Sequence, residues 1–247
     1  MSMRCNMLHA ACFATVLGLS GCGDFWPGKP KPVTPVALGT LEGFNSAYAA
    51  KCAACHGDNG RLGAARPLND PLYLAITPKE AFARAVGHGQ GTLMPAYLSQ
   101  QGGPWDEDRL ARFVDDVYTF WGDPDQFKGE ELPGYAPTEG DAAAGGESFA
   151  TWCGACHGKD GAGLEAVPAG VVNGHSVVDN NYLNLISDQG LRSAVIFGHE
   201  EYGMPSYRGP FPNRGDASLD EKTINDITAW LIGQRRTSAE QASEAGQ

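Results

Sequence analysis

Cys52-Ala53-Ala54-Cys55-His56 and Cys153-Gly154-Ala155-Cys156-His157 are two copies of one five-residue pattern, and the rest of the chain is arranged around them. C-x-x-C-H is the pattern at which haem c is attached. The spacing has a chemical reason. Two cysteine sulfurs bond to the haem's two vinyl groups, and the adjacent histidine is thereby carried under the iron as its proximal ligand. Two other chemistries use part of the pattern, a zinc knuckle and a thioredoxin-like redox pair. A zinc site would keep its two C-x-x-C pairs closer together than the 101 residues that separate Cys52 from Cys153. A redox pair has no need of a following histidine.

Outward from each motif the pattern is helical. Leu41, Phe44 and Tyr48 fall at helical spacing just before the first copy, and a helix ending in Phe149 and Trp152 precedes the second. Thr77-Pro78-Lys79-Glu80 reads as a capping box opening a short helix that ends near Gly87. Leu110, Phe113, Val114, Val117, Tyr118 and Trp121 form one apolar stripe, so Asp106–Trp121 is the clearest helix, with an acidic first turn that suits the helix dipole. In the second half a short helix is expected over 188–197. Ser218-Leu219-Asp220-Glu221 reads as another capping box, leading into Ile224, Ile227, Thr228 and Leu231.

The parts therefore recur in one order: helix, C-x-x-C-H, glycine-rich loop, helix, Met-Pro, helix. This is an internal duplication. Met94-Pro95 and Met204-Pro205 stand 110 residues apart, so the second copy is longer between its motif and its methionine, with most of the extra length expected over 171–181. The expected organisation is a signal peptide (1–21), a proline-rich spacer (22–40), a first domain (41–122), a linker (123–140), a second domain (141–236) and a polar tail (237–247). The expected fold class is all-α.

An iron held from below by histidine needs a ligand above. Of the five methionines, Met1, Met3 and Met7 fall in the leader, which leaves Met94 and Met204. They agree in position and context, so the expected metal ligands are His56 with Met94 and His157 with Met204. His88, in Gly87-His88-Gly89, and His199, in Gly198-His199-Glu200, occupy matching places in this reading and are the rivals. A methionine ligand raises the potential relative to a second histidine. Pro67 and Pro168 each lie 11 residues beyond the proximal histidine, and their carbonyls are the expected acceptors of its other ring N–H.

Composition narrows the setting. The 18 Lys+Arg against 29 Asp+Glu give a net charge of −11, which argues against a nucleic-acid face and favours a redox partner with a basic docking surface. Of seven cysteines, four lie in the motifs and Cys5 and Cys12 in the leader, leaving Cys22. Leu19-Ser20-Gly21-Cys22 resembles a bacterial lipobox, after a positive n-region and an apolar run too short to span a bilayer. Lipidation at Cys22 would anchor the protein on the periplasmic side of a membrane, with the spacer holding the first domain away from it.

On these motifs the chain resembles the class I cytochromes c, as two tandem domains over about 41–236. The resemblance implies two covalently bound haems c, attached through Cys52, Cys55, Cys153 and Cys156, and crossed first and last helices in each domain. Members of that family often carry a glycine at this crossing with an aromatic three residues on, as Gly146 and Phe149 do, where the first half has Asn45 and Tyr48. The implied activity is single-electron transfer between respiratory or photosynthetic partners, without a small-molecule substrate and not as an enzyme. A fixed subunit of a larger membrane oxidoreductase would use the same residues and remains open. A diheme peroxidase would need one haem whose far side opens, which two Met-Pro loops argue against. Domains of this size bury little apolar surface alone, so the haem-free chain is expected to fold poorly.

Overall fold

The strongest apolar stripe becomes the longest helix. Leu110, Phe113, Val114 and Val117 are buried along Glu107–Trp121, and Asp106 caps it by accepting from the Arg109 N–H. The computed structural model describes residues 36–165, 175–212 and 214–235. The leader, Cys22, Pro168 and the polar tail lie outside these residues.

In chain order the helices are α1 (Leu41–Lys51), α2 (Ala53–His56), α3 (Pro71–Ile76), α4 (Lys79–His88), α5 (Glu107–Trp121), α6 (Ala142–Trp152), α7 (Gly154–His157), α8 (Asn180–Leu185), α9 (Asp188–Phe197) and α10 (Glu221–Gly233). Among the described residues there is no strand, only isolated backbone bridges. No helix among them is long and apolar enough to cross a membrane. The second five helices repeat the first five. The repeat includes two pieces that the apolar pattern did not reveal, α3 and α8. Each is six residues long and is opened by an aspartate, Asp70 or Asp179, whose carboxylate accepts from the next two free N–H groups of the first turn.

Two caps differ from expectation. At α4 the N-cap is Pro78, with no side-chain bond, so Thr77 does not open the helix. At α10 the N-cap is Asp220, accepting from the Thr223 N–H, two residues later than Ser218. An aspartate carboxylate at the cap also meets the helix dipole with a full charge, which a serine hydroxyl cannot.

Each half closes by packing its first helix on its last. In the first, Tyr48 meets Trp121 edge-on at 4.8 Å. In the second, Phe149 and Trp230 lie 4.4 Å apart. A buried aspartate on each last helix also holds the chain entering the first helix. Asp116 accepts from the Gly39 N–H at 2.9 Å, and Asp226 from the Asp141 N–H at 2.9 Å. The segment between the halves lies along the second. Arg192, 0% exposed, donates to the Gly134 carbonyl at 2.7 and 3.0 Å, to Glu221 at 2.5 Å and to Asn225. A buried guanidinium needs such a full set of acceptors.

Candidate functional site

The motif cysteines sit where two helices meet. Cys52 ends α1 and opens α2, and its N–H is bonded to the Tyr48 carbonyl at 2.8 Å. Cys153 stands in the same way between α6 and α7, bonded to Phe149 at 2.8 Å. Each histidine follows one turn later, with its N–H on the carbonyl of the first cysteine at 3.0 Å. One turn of helix thus presents two sulfurs and an imidazole from a single short segment.

The four thiols are free, not paired. Burial pushes the Cys52 thiol up to about 12, with Cys55 adding to the rise, and does the same to Cys153. A redox C-x-x-C needs the opposite, a thiolate favoured near neutrality. Nor do the motifs combine: among the described residues no three His, Cys, Asp or Glu cluster to hold a metal ion. Neither observation supports the zinc or the redox reading.

Each motif histidine is oriented from behind. His56, buried, has Nδ1 2.7 Å from the carbonyl oxygen of Arg66. A carbonyl only accepts, so Nδ1 carries the proton and Nε2 keeps a free lone pair, the form that binds a metal. The acceptor is therefore Arg66 and not Pro67. The reason is local: a proline confines the residue before it to extended backbone, so it is the preceding carbonyl whose direction the proline fixes. In the second half His157 Nδ1 lies 3.1 Å from the carbonyl oxygen of His175. Pro168, expected there, lies outside the described residues.

The two methionines end two matched loops. Gln90 and Met94 exchange backbone hydrogen bonds at 3.0 and 3.2 Å. His199 and Met204 do so at 2.8 and 3.1 Å. Before each loop the helix stops at a glycine with positive φ, Gly89 or Gly198. A Cβ there would stand 2.4 Å from the Met94 carbonyl oxygen or 2.5 Å from that of Met204. Only glycine lets the methionine turn fold back so closely on the helix end.

This landmark corrects one correspondence. Gly89 matches Gly198, so His199 matches Gln90, and His88 matches Phe197. His88 and His199 are not equivalent. His88 ends α4, exposed. His199 is half-buried, with its ring 4.9 Å from that of Tyr202 and Nδ1 3.9 Å from Glu201. Burial holds its pKa below the usual histidine value.

Tyr97, three residues after Met94, donates its hydroxyl to the Lys51 carbonyl at 2.5 Å and so ties the methionine turn to the helix bearing Cys52. Tyr207 takes the matching place, but its hydroxyl accepts from Arg208 Nε at 3.4 Å. Two free thiols, an imidazole with Nε2 available and a thioether on a pinned turn make a donor set whose chemistry fits a covalently held haem, once in each half.

The family model described as cytochrome C oxidase, cbb3-type, subunit III matches residues 40–114 and again 140–231. The duplicated fold is that of a c-type cytochrome. No curated protein matches the chain. Among solved structures, a chain of the Kuenenia stuttgartiensis reducing HAO-like protein complex Kustc0457/Kustc0458 is similar at 15% identity, over 81% of this chain and 100% of that chain, with a TM-score of 0.41.

Proposed function

We propose that this chain, which belongs to the family of cytochrome c oxidase, cbb3-type, subunit III, carries single electrons through two haems c, one in each half. The observation that carries the reading is the repetition, in both halves, of a histidine whose Nδ1 is tied to a carbonyl and a methionine on a glycine-anchored turn. Haem, when bound, supplies a one-electron couple between the two oxidation states of its iron.

The chain's own residues do the rest. Cys52 and Cys55, and Cys153 and Cys156, would hold the two groups covalently. His56 and His157 would each present Nε2, oriented by the carbonyls of Arg66 and His175. Met94 and Met204 would complete the coordination and close both faces, which supports a carrier over an enzyme with an open site. Tyr48 and Phe149, buried on the helices that lead into the two motifs, would help to keep water from the groups.

The acidic excess supports a basic surface on the partner. Leu19-Ser20-Gly21-Cys22 supports an extracytoplasmic, lipid-anchored protein. The family's description supports a second reading, a fixed subunit of a membrane oxidoreductase, and copurification from detergent-solubilised membranes separates it from a free carrier.

The test is the intact mass and haem content of protein matured with the haem-attachment machinery. Two haems per chain are expected, one after Cys153→Ala with Cys156→Ala, and a fatty-acylated amino terminus that Cys22→Ser abolishes. A chain that carries no covalent haem would contradict the reading.

A further inference from the structure

We propose that Arg66 and Phe197 act as positioning residues that couple the two sites, joining the His56 side of the first to the methionine side of the second. The inference rests on the reading that both halves hold haem.

Arg66 serves both halves at once. Its main-chain carbonyl accepts from His56 Nδ1 at 2.7 Å. Its guanidinium stands 5.4 Å from the ring centroid of Phe197. Burial lowers the pKa of that guanidinium while the charges of Asp70 and Glu201 oppose the shift, and the ring face of Phe197 adds a cation–π contact from the second half. Phe197 is 2% exposed, and its ring also meets one from the first half, Tyr73, edge-on at 5.1 Å. The next residue is Gly198, pressed against the carbonyls of Met204 and Pro205. Hence a single residue, Gly198, separates the residue whose ring faces Arg66 from the turn that carries Met204.

The same seam is bonded twice more. The Leu62 N–H donates to Glu201 at 3.1 Å, and the Tyr202 hydroxyl donates to the Gly63 carbonyl at 3.3 Å. Both acceptor and donor on the second half belong to the 199–204 turn, and both partners on the first half belong to the loop that follows His56. A shift of that turn therefore reaches the carbonyl behind His56 through packed and bonded atoms, and a partner on the second ring nitrogen tunes a ligating imidazole.

In the reverse direction the Phe197 ring has no counterpart among the described residues. Its place in the first half is taken by His88, exposed at the end of α4. The carbonyl behind His157 belongs to His175, which is also exposed. The arrangement couples His56 to Met204.

The experiment uses full-length, haem-loaded protein. Haem content is measured first: fewer than two haems overturns the functional reading and this inference together. With two haems present, the potentials are resolved by redox titration and assigned with Met94→Ala and Met204→Ala. Phe197→Leu should change the redox equilibrium constant of the haem in the first half severalfold. Arg66→Met should do the same to the haem in the second half, and Arg66→Lys, which keeps the cation, should recover most of it. His88→Leu should leave the haem of the second half unchanged. If Phe197→Leu fails to fold, the Arg66 pair decides alone. Folded variants in which each substitution moves only the haem of its own half would overturn the coupling while leaving the functional reading intact.

Discussion

Phe44 and Gly145 occupy the same place in the two halves, eight residues before the first motif cysteine, and they are the largest and smallest solutions to one packing problem. In the second half a Cβ at Gly145 would stand 1.9 Å from the Asp226 carbonyl oxygen, so α6 and α10 cross backbone to backbone. In the first half Phe44, 0% exposed, fills the crossing with its ring, 4.8 Å from Trp121, 5.5 Å from Phe120 and 5.7 Å from Phe113. The same order of helices and the same motif thus tolerate either a close helix pair or one spaced by an aromatic cluster. What does not vary is what touches the site: an aromatic four residues before the cysteine, packed on a tryptophan of the last helix.

The comparison can be broken from either side. Phe44→Ala should cost the most, about 4 kcal/mol, because it empties a ring-sized space that three other rings cannot fill. Chemical denaturation should show the first half unfolding earlier, with the second unchanged. Gly145→Ala should cost about 3 kcal/mol, since the obstacle is backbone that cannot rotate away. Its mark should be the converse, loss of the second half's transition. The matching change in the first half, Phe44→Leu, should be much milder.

Asp226 sharpens the comparison electrostatically. It is paired with Lys222, which holds its carboxyl below the usual aspartate range, and it also accepts from the Asp141 N–H. A depressed folded pKa stabilises the folded state above the unfolded value of about 3.9, and that contribution is lost as the pH falls through the lower folded value. Acid titration below about pH 4 should therefore loosen α6 from α10. Asp226→Ala should cost about 2 kcal/mol at neutral pH by stranding the Asp141 N–H, and should remove this part of the acid sensitivity. Asp226→Asn, which keeps the acceptor, should cost less.

Much of this was legible in the residues. The motif pair and the Met-Pro pair carry chemistry at fixed spacing, and α5 carries a stripe too regular for any other structure. The parts that were not legible have physical causes. Helices α3 and α8 are too short to show periodicity, and their only trace is an aspartate before Pro71 or Asn180. The acceptor behind His56 was misplaced by one residue because proline acts on its predecessor, and the carbonyl of a backbone segment leaves no mark in the sequence. His88 and His199 were paired because each adjoins a glycine. The decisive glycine was the one against which the methionine turn packs, and the second turn is one residue longer. At the crossing, Gly146 was read for Gly145, since two adjacent glycines look alike until one of them meets a backbone. The link through Arg66 and Phe197 joins residues 131 apart and no local pattern could show it.

The most direct test of the account is the near-infrared spectrum of the oxidised, haem-loaded protein, where methionine-to-iron charge transfer reports the ligand. The account predicts the signal of two methionine-ligated haems, half of it lost in Met94→Ala and the other half in Met204→Ala, with His88→Leu and His199→Leu retaining both. A spectrum showing one such haem or none, or one in which a histidine variant gains a methionine signal, would contradict it.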